Sequence, residues 1–137
     1  MLGEWIWGVL SMKFEYDSDN IFAKILREEI PNKTVIETKL SLAFEDINPQ
    51  APVHVLVIPK GPYVSYDHFV LEASDQEIVD FNRTIGEVCR ITKVQVNNGG
   101  NGFRTISNAG VHGVQEVPHL HVHVLGGRWL GRMLSNT

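Results

Sequence analysis

The stretch PHLHVHVLGGR, residues 118–128, sets histidines at 119, 121 and 123 and separates them with Leu120, Val122 and Val124. Successive side chains of a strand point to opposite faces. The spacing therefore predicts a strand over His119–Leu125, with the imidazoles on one side and the apolar residues entering a core on the other. Upstream, Phe103–Ser107 reads as another strand, and Asn97–Gly102 (NNGGNG) as a connection, since its glycine spacing matches neither the P-loop nor the dinucleotide fingerprint. Ser74 and Glu77 have capping-box spacing, and Ile78, Phe81, Ile85 and Val88 then recur every three or four residues, which predicts a long helix over 75–92. Cys89 adjoins its apolar stripe and reads as a packed core thiol.

His54–Pro59 (HVLVIP) is an apolar run bounded by prolines, as expected of a strand covered on both faces. Before it, Thr34–Phe44 reads as a hairpin around a polar turn at Thr38–Ser41, followed by a loop at Asp46–Pro52. A first helix near 19–29 would be capped by Ser18 or Asp19 and stopped by Pro31, with Ile21, Phe22, Ile25 and Leu26 on one face. Five strands and two helices, with strand runs split by one long helix, indicate an α+β fold with an antiparallel sheet.

The 137 residues and 43% hydrophobic content suit one domain over 12–137 that buries its core without disulfides. A net charge of −4 with no basic cluster argues against a nucleic-acid partner, and the single cysteine points to the cytoplasm. Residues 1–11, MLGEWIWGVLS, are too short to span a bilayer and lack the charged start of a signal peptide. They read as a dispensable amino-terminal extension with Met12 as the alternative start, or as a short membrane-surface or dimer-contact helix using Leu2, Trp5, Ile6 and Val9.

Four of the six histidines carry the functional reading. Residues i and i+4 of a strand lie about 13 Å apart, so three imidazoles cannot all reach one atom from equivalent positions. One should do the chemistry, and the central His121 can be held from both sides. A neutral imidazole whose other nitrogen is fixed by a second group is a competent nucleophile. A solvated histidine face and a metal site with His54 as a further ligand are the competing readings. No carboxylate or cysteine shares the strand to complete a charge-balanced set, so neither metal nor cofactor is expected.

The run His119-Leu120-His121-Val122-His123-Val124-Leu125 resembles the signature of the histidine-triad (HIT) superfamily. Further matches are NIFAKILREEIP (20–31), AFEDINPQAP (43–52), HVLVIPK (54–60) and the run from Arg104 to Arg128, so the resemblance covers about Asp19 to Arg132. The closing Leu125-Gly126-Gly127-Arg128 is similar to the Hint branch rather than to Fhit-type dinucleoside polyphosphate hydrolases. The resemblance implies a homodimer whose two five-stranded sheets join into one of ten strands, with metal-independent active sites. It implies that His121 is the nucleophile, that His119 and His123 orient it or contact the phosphate, and that His54 is a fourth site histidine. Asp46 would grip the ribose hydroxyls, because a carboxylate can accept from both.

Ile21, Phe22, Ile25, Phe44, Ile47 and Leu56 would wall a purine pocket; ordinary core is the alternative for all six, and the sequence alone favours it for Ile25 and Leu56. Asn108 and Gln115 would lie near the phosphate, while Asp46 alone also reads as a turn residue before Asn48-Pro49. Val114-Gln115-Glu116 departs from the Gly-Gln-Ser or Gly-Gln-Glu of relatives, and Glu116, repulsive to a phosphate, is left out of the site. The implied activity is hydrolysis of purine nucleoside phosphoramidates or related nucleotide esters through a nucleotidyl-histidine. Hydrolysis of dinucleoside polyphosphates and a nucleotide-binding adaptor are the alternatives.

Overall fold

The computed structural model describes residues 14–135, so the predicted extension at 1–11 lies outside the described residues. Ser18 and Asp19 do not cap the first helix. They belong to a turn in which the Asp19 N–H donates to Asp17 Oδ1, at 2.9 Å. Asn20 is the cap, its Oδ1 accepting from the Ala23 N–H, and helix α1 spans only Ile21–Leu26. It closes well before Pro31 because Glu28 takes a left-handed conformation (φ 63°) while the Glu28 and Glu29 N–H groups return to Ile25 and Lys24. Those two bonds satisfy carbonyls that a continuing helix would have used.

The predicted hairpin forms as β1 (Thr34–Glu37) and β2 (Ser41–Glu45), followed after the loop by β3 (Val53–Pro59). Helix α2 (Tyr66–Glu72) joins the two expected helices. The sequence hides it because seven residues give too few turns for a periodic stripe, and of its apolar side chains Phe69 is the buried one. Helix α3 (Asp75–Ile91) begins with the predicted Ser74/Glu77 capping box.

Strands β4 (Phe103–Ser107) and β5 (Val122–Gly126) complete an antiparallel sheet of order β1-β2-β3-β5-β4. Strand β5 starts three residues later than predicted. Val122 pairs with Val57 and Ser107, whereas the Leu120 N–H donates to Tyr63 O instead of entering the ladder. The neighbouring end of β3 is Pro59, which has no N–H to offer.

The sheet is covered on both faces where the site lies. Ala43, Val55, Val57, Leu120, Val122 and Val124 pack with Phe69, Phe81 and Val88 of the helices on one face. Leu42, Phe44, Leu56 and Ile58 pack with Phe22 and Ile25 of α1 on the other. The alternation read at 119–125 thus persists beyond the strand itself, because Leu120 belongs to the same core as Val122 and Val124. Asp80 of α3 accepts from the hydroxyls of Thr38 and Ser41, at 2.7 and 2.6 Å, and ties the hairpin turn to the long helix. Among the described residues, no helix is long and apolar enough to cross a membrane.

Candidate active site

Helix α1 is too short to roof the whole second face of the sheet, and a cleft of about 240 Å³ opens between it and the strands. Strand parity decides what reaches this face. His123 pairs with Leu56 across β3 and β5, so it shares a face with Leu56 and, two residues along, with His54. The cleft walls include Ile21, Phe22, Ile25, Phe44, Ile47 and Leu56, with Asp46, His121 and His123 as polar groups. A larger hollow of about 620 Å³ lies under the Asp46–Pro52 loop, but it contains neither His121 nor His123.

Hydrogen bonds assign the state of each imidazole. His121 Nδ1 lies 2.8 Å from the His119 carbonyl. A carbonyl only accepts, so Nδ1 carries the proton and Nε2 the lone pair. The edge of Phe22 meets this ring at 4.9 Å and 83°, which limits its rotation. The Gln50 N–H donates to His54 Nδ1 at 3.1 Å, so neutral His54 holds its proton on Nε2. That N–H points at His123 Nδ1, 2.9 Å away, and His123 in turn keeps its proton on Nε2. Two adjacent imidazoles with opposite roles result, one offering a lone pair and the other an N–H.

Burial is the largest cause of every histidine shift in the site. It pushes His119 and His123 down to about 4. It also lowers His121 from its usual value, partly opposed by the bond to the His119 carbonyl and by the negative charges of Asp46 and Glu116. His54 is likewise lowered by burial. All four are therefore neutral near pH 7.

His119 does not line the cleft. Its ring is fully buried (0% exposed), with Nε2 donating to Pro59 O at 2.8 Å and Nδ1 facing the Tyr16 hydroxyl at 2.6 Å. Its backbone carbonyl, not its ring, meets His121. Asp46 combines the two readings made of it, since Oδ1 accepts the Asn48 N–H of a turn at 2.8 Å while the residue also lines the cleft. Asn108 lies outside the cleft, in a neighbouring groove of about 630 Å³ shared with His54, His123 and Met133. The Gln115 amide is turned away from the cleft, donating to Val64 O at 2.6 Å and Val117 O at 3.0 Å.

Glu116, which the sequence reading set aside, lies on the cleft wall, together with Val117, Ile30, Pro31 and Asn32. Only its neighbourhood to Gln115 signalled it, and charge repulsion argued the other way. Asp46, His54 and His123 each bring one ligand atom within 4.8 Å of the others. Tetrahedral zinc with nitrogen ligands near 2.05 Å separates them by about 3.3 Å, so the three groups would have to draw closer, and His54 to give up its Nε2 proton, before they could share a cation.

An antiparallel α+β sheet with histidines at alternate positions, two of them lining the cleft beside it, defines a histidine-triad protein. The chain belongs to the HIT family, whose domain model matches residues 27–130. It is 52% identical over 120 residues to an uncharacterized 13.2 kDa HIT-like protein of Azospirillum brasilense, covering 88% of this chain and 95% of that one. It is 36% identical over 121 residues to the purine nucleoside phosphoramidase of Escherichia coli K12, covering 86% and 95%. A solved histidine triad protein from Clostridium difficile superposes with a TM-score of 0.71 at 37% identity, covering 86% and 98%.

Proposed function

We propose that this protein is a nucleotide hydrolase that cleaves purine nucleoside phosphoramidates at the P–N bond through a covalent intermediate on His121. The observation that carries the reading is the pair of opposed tautomers, a lone pair on His121 Nε2 beside an N–H on His123 Nε2. The base lies between Phe22, Phe44 and Ile21, with Asp46 accepting the ribose hydroxyls, and this binding places the phosphorus at His121. His121 Nε2 forms the new bond to phosphorus as the P–N bond breaks. The leaving nitrogen accepts a hydrogen bond from the His123 Nε2–H, takes a proton from solvent water and departs as an amine. Water then attacks the nucleotidyl-His121, its oxygen bonding to phosphorus as the bond to Nε2 breaks and its proton passing to solvent, and the nucleoside monophosphate is released.

Glu116 favours this leaving group over that of a dinucleoside polyphosphate. An anion on the cleft wall repels a departing nucleoside polyphosphate and tolerates an amine that gains a proton. Glu116→Gln should therefore narrow the preference for adenosine phosphoramidate over diadenosine polyphosphate, measured as the ratio of kcat/KM values. The side chain is exposed, which limits the effect to roughly two- to fivefold. An unchanged ratio would remove Glu116 from the account.

Homodimerisation is part of the same reading. Among the described residues, strand β4 is hydrogen-bonded on one side only and exposes Phe103, and beside it the Arg104 guanidinium holds the carbonyls of Gly131 and Arg132 in a tail with exposed Trp129, Met133 and Leu134. A second copy adding its own β4 would pair the free edge and cover these side chains.

The deciding experiment is rapid quench of EDTA-treated protein with radiolabelled adenosine phosphoramidate. Label trapped on His121 together with AMP release supports the mechanism. Nucleotide binding with neither label nor AMP favours an adaptor. Activity restored only by zinc favours the second reading, a cation held by Asp46, His54 and His123.

A further inference from the structure

We propose that Tyr16 is a positioning residue for His121, acting through His119, an inference that rests on His121 being the attacking residue. Tyr16 precedes the matched HIT domain, which begins at residue 27. It lies on a strap at the described amino-terminal end, where the ring of Phe14 stacks on His68 at 4.4 Å and 7°. Two residues on, the Tyr16 hydroxyl reaches His119 Nδ1 at 2.6 Å, its ring meeting the imidazole edge-on at 5.5 Å.

The direction of each bond follows from the acceptor at the far end. Pro59 O can only accept, so His119 Nε2 donates to it and neutral His119 leaves Nδ1 as the acceptor of the Tyr16 O–H. The His119 ring is thereby clamped at both nitrogens, 103 residues in sequence separating one of the clamps from it. A ring fixed at both ends fixes its own backbone, and the His119 carbonyl is the group that holds the proton on His121 Nδ1. Which nitrogen of a neutral imidazole keeps the proton is decided by the partner of the other. Tyr16 therefore governs, two bonds away, how much of His121 presents its lone pair at Nε2.

Replacing the hydroxyl leaves a fully buried acceptor on His119 without a donor. The ring relieves this by turning, the carbonyl moves with it, and His121 divides between its two tautomers. No contact with substrate is involved, so turnover falls and binding does not.

The test compares wild type, Tyr16→Phe and a chain carrying 3-fluorotyrosine at 16, each labelled with nitrogen-15 in its histidines. Imidazole nitrogen shifts report the tautomer, and steady-state turnover of adenosine phosphoramidate reports the chemistry. The expected result is His121 protonated on Nδ1 in wild type and, in Tyr16→Phe, a mixture in which only about a tenth keeps the Nδ1 proton. Its kcat should fall about tenfold with KM within about twofold. The fluorotyrosine chain, which keeps the hydroxyl, should behave as wild type.

In a His119→Gln background, Tyr16→Phe should cost nothing further. The proposal is overturned if His121 keeps its Nδ1 proton in Tyr16→Phe, if kcat stays within about twofold, if the fluorotyrosine chain loses activity too, or if the two losses multiply. A tautomer that responds as expected in a chain that never turns over the phosphoramidate would sink the proposed substrate and leave the positioning role standing. Good turnover with an indifferent tautomer would do the reverse.

Discussion

His121→Ala should turn over adenosine phosphoramidate at least about 10⁴-fold more slowly than wild type, with AMP affinity changed by no more than about threefold. The asymmetry comes from the placement of the ring. In the proposed binding mode the base and ribose meet Phe22, Phe44, Ile21 and Asp46, which line the cleft and none of which the substitution removes, whereas the covalent path through imidazole Nε2 disappears altogether. Single-turnover quench kinetics measure the first quantity and calorimetric titration with AMP the second. Loss of AMP binding from a folded variant would mean that His121 belongs to the binding surface rather than to the chemistry.

The pH dependence has a fixed sign as well. Attack needs neutral His121, and burial lowers its pKa from the usual value near 6.5. The acid limb of kcat/KM should therefore lie below pH 6.5, and a limb above it would contradict a buried, neutral nucleophile.

The second large effect is on stability. His119 is fully buried and pushed down to about 4, while in the unfolded chain it titrates near 6.5. Between those values the unfolded state holds a proton that the native state refuses, so stability is complete above about pH 6.5 and is lost as pH falls towards 4. His119 alone accounts for about 3 kcal/mol across that window, from a shift of about 2.5 units at 1.36 kcal/mol each. His123, also displaced to about 4, adds a smaller amount because it is only partly buried.

Carboxylates titrate in the same range, so the informative quantity is the difference between wild type and His119→Gln. Urea unfolding at pH 7 and pH 4.5, at one protein concentration, should show the variant losing less stability than wild type on acidification. Equal losses would mean that His119 is not held neutral by its burial.

Local pattern was enough for the elements that repeat themselves. Period-two alternation at 119–125, the apolar run at 54–59 and the capped stripe of α3 each encode their own structure, because burial on one face imposes a spacing on the residues that form it. The ends of these elements were less legible. The Asn20 cap, the closure of α1 at Glu28 and the late start of β5 are set by bonds to Asp17, Lys24, Ile25 and Tyr63 that no periodicity announces. Helix α2 escaped for a related reason, since a seven-residue segment carries too short a record of its face.

The candidate site divides the same way. The histidines, Asp46 and the apolar walls could be named from the residues and their resemblance to a family, because a strand's parity fixes which side chains share a face. Their protonation could not. The lone pair on His121 is set by the His119 carbonyl two residues away, but the N–H on His123 and the removal of the His119 ring from the cleft depend on partners distant in sequence. Tyr16 reaches His119 across 103 residues, Pro59 reaches it across 60, and His54 reaches His123 across 69. The sequence determined which groups this protein has for its chemistry. Only the tertiary structure decided which nitrogen of each imidazole bears the proton, because that choice belongs to the hydrogen-bond partner and not to the histidine.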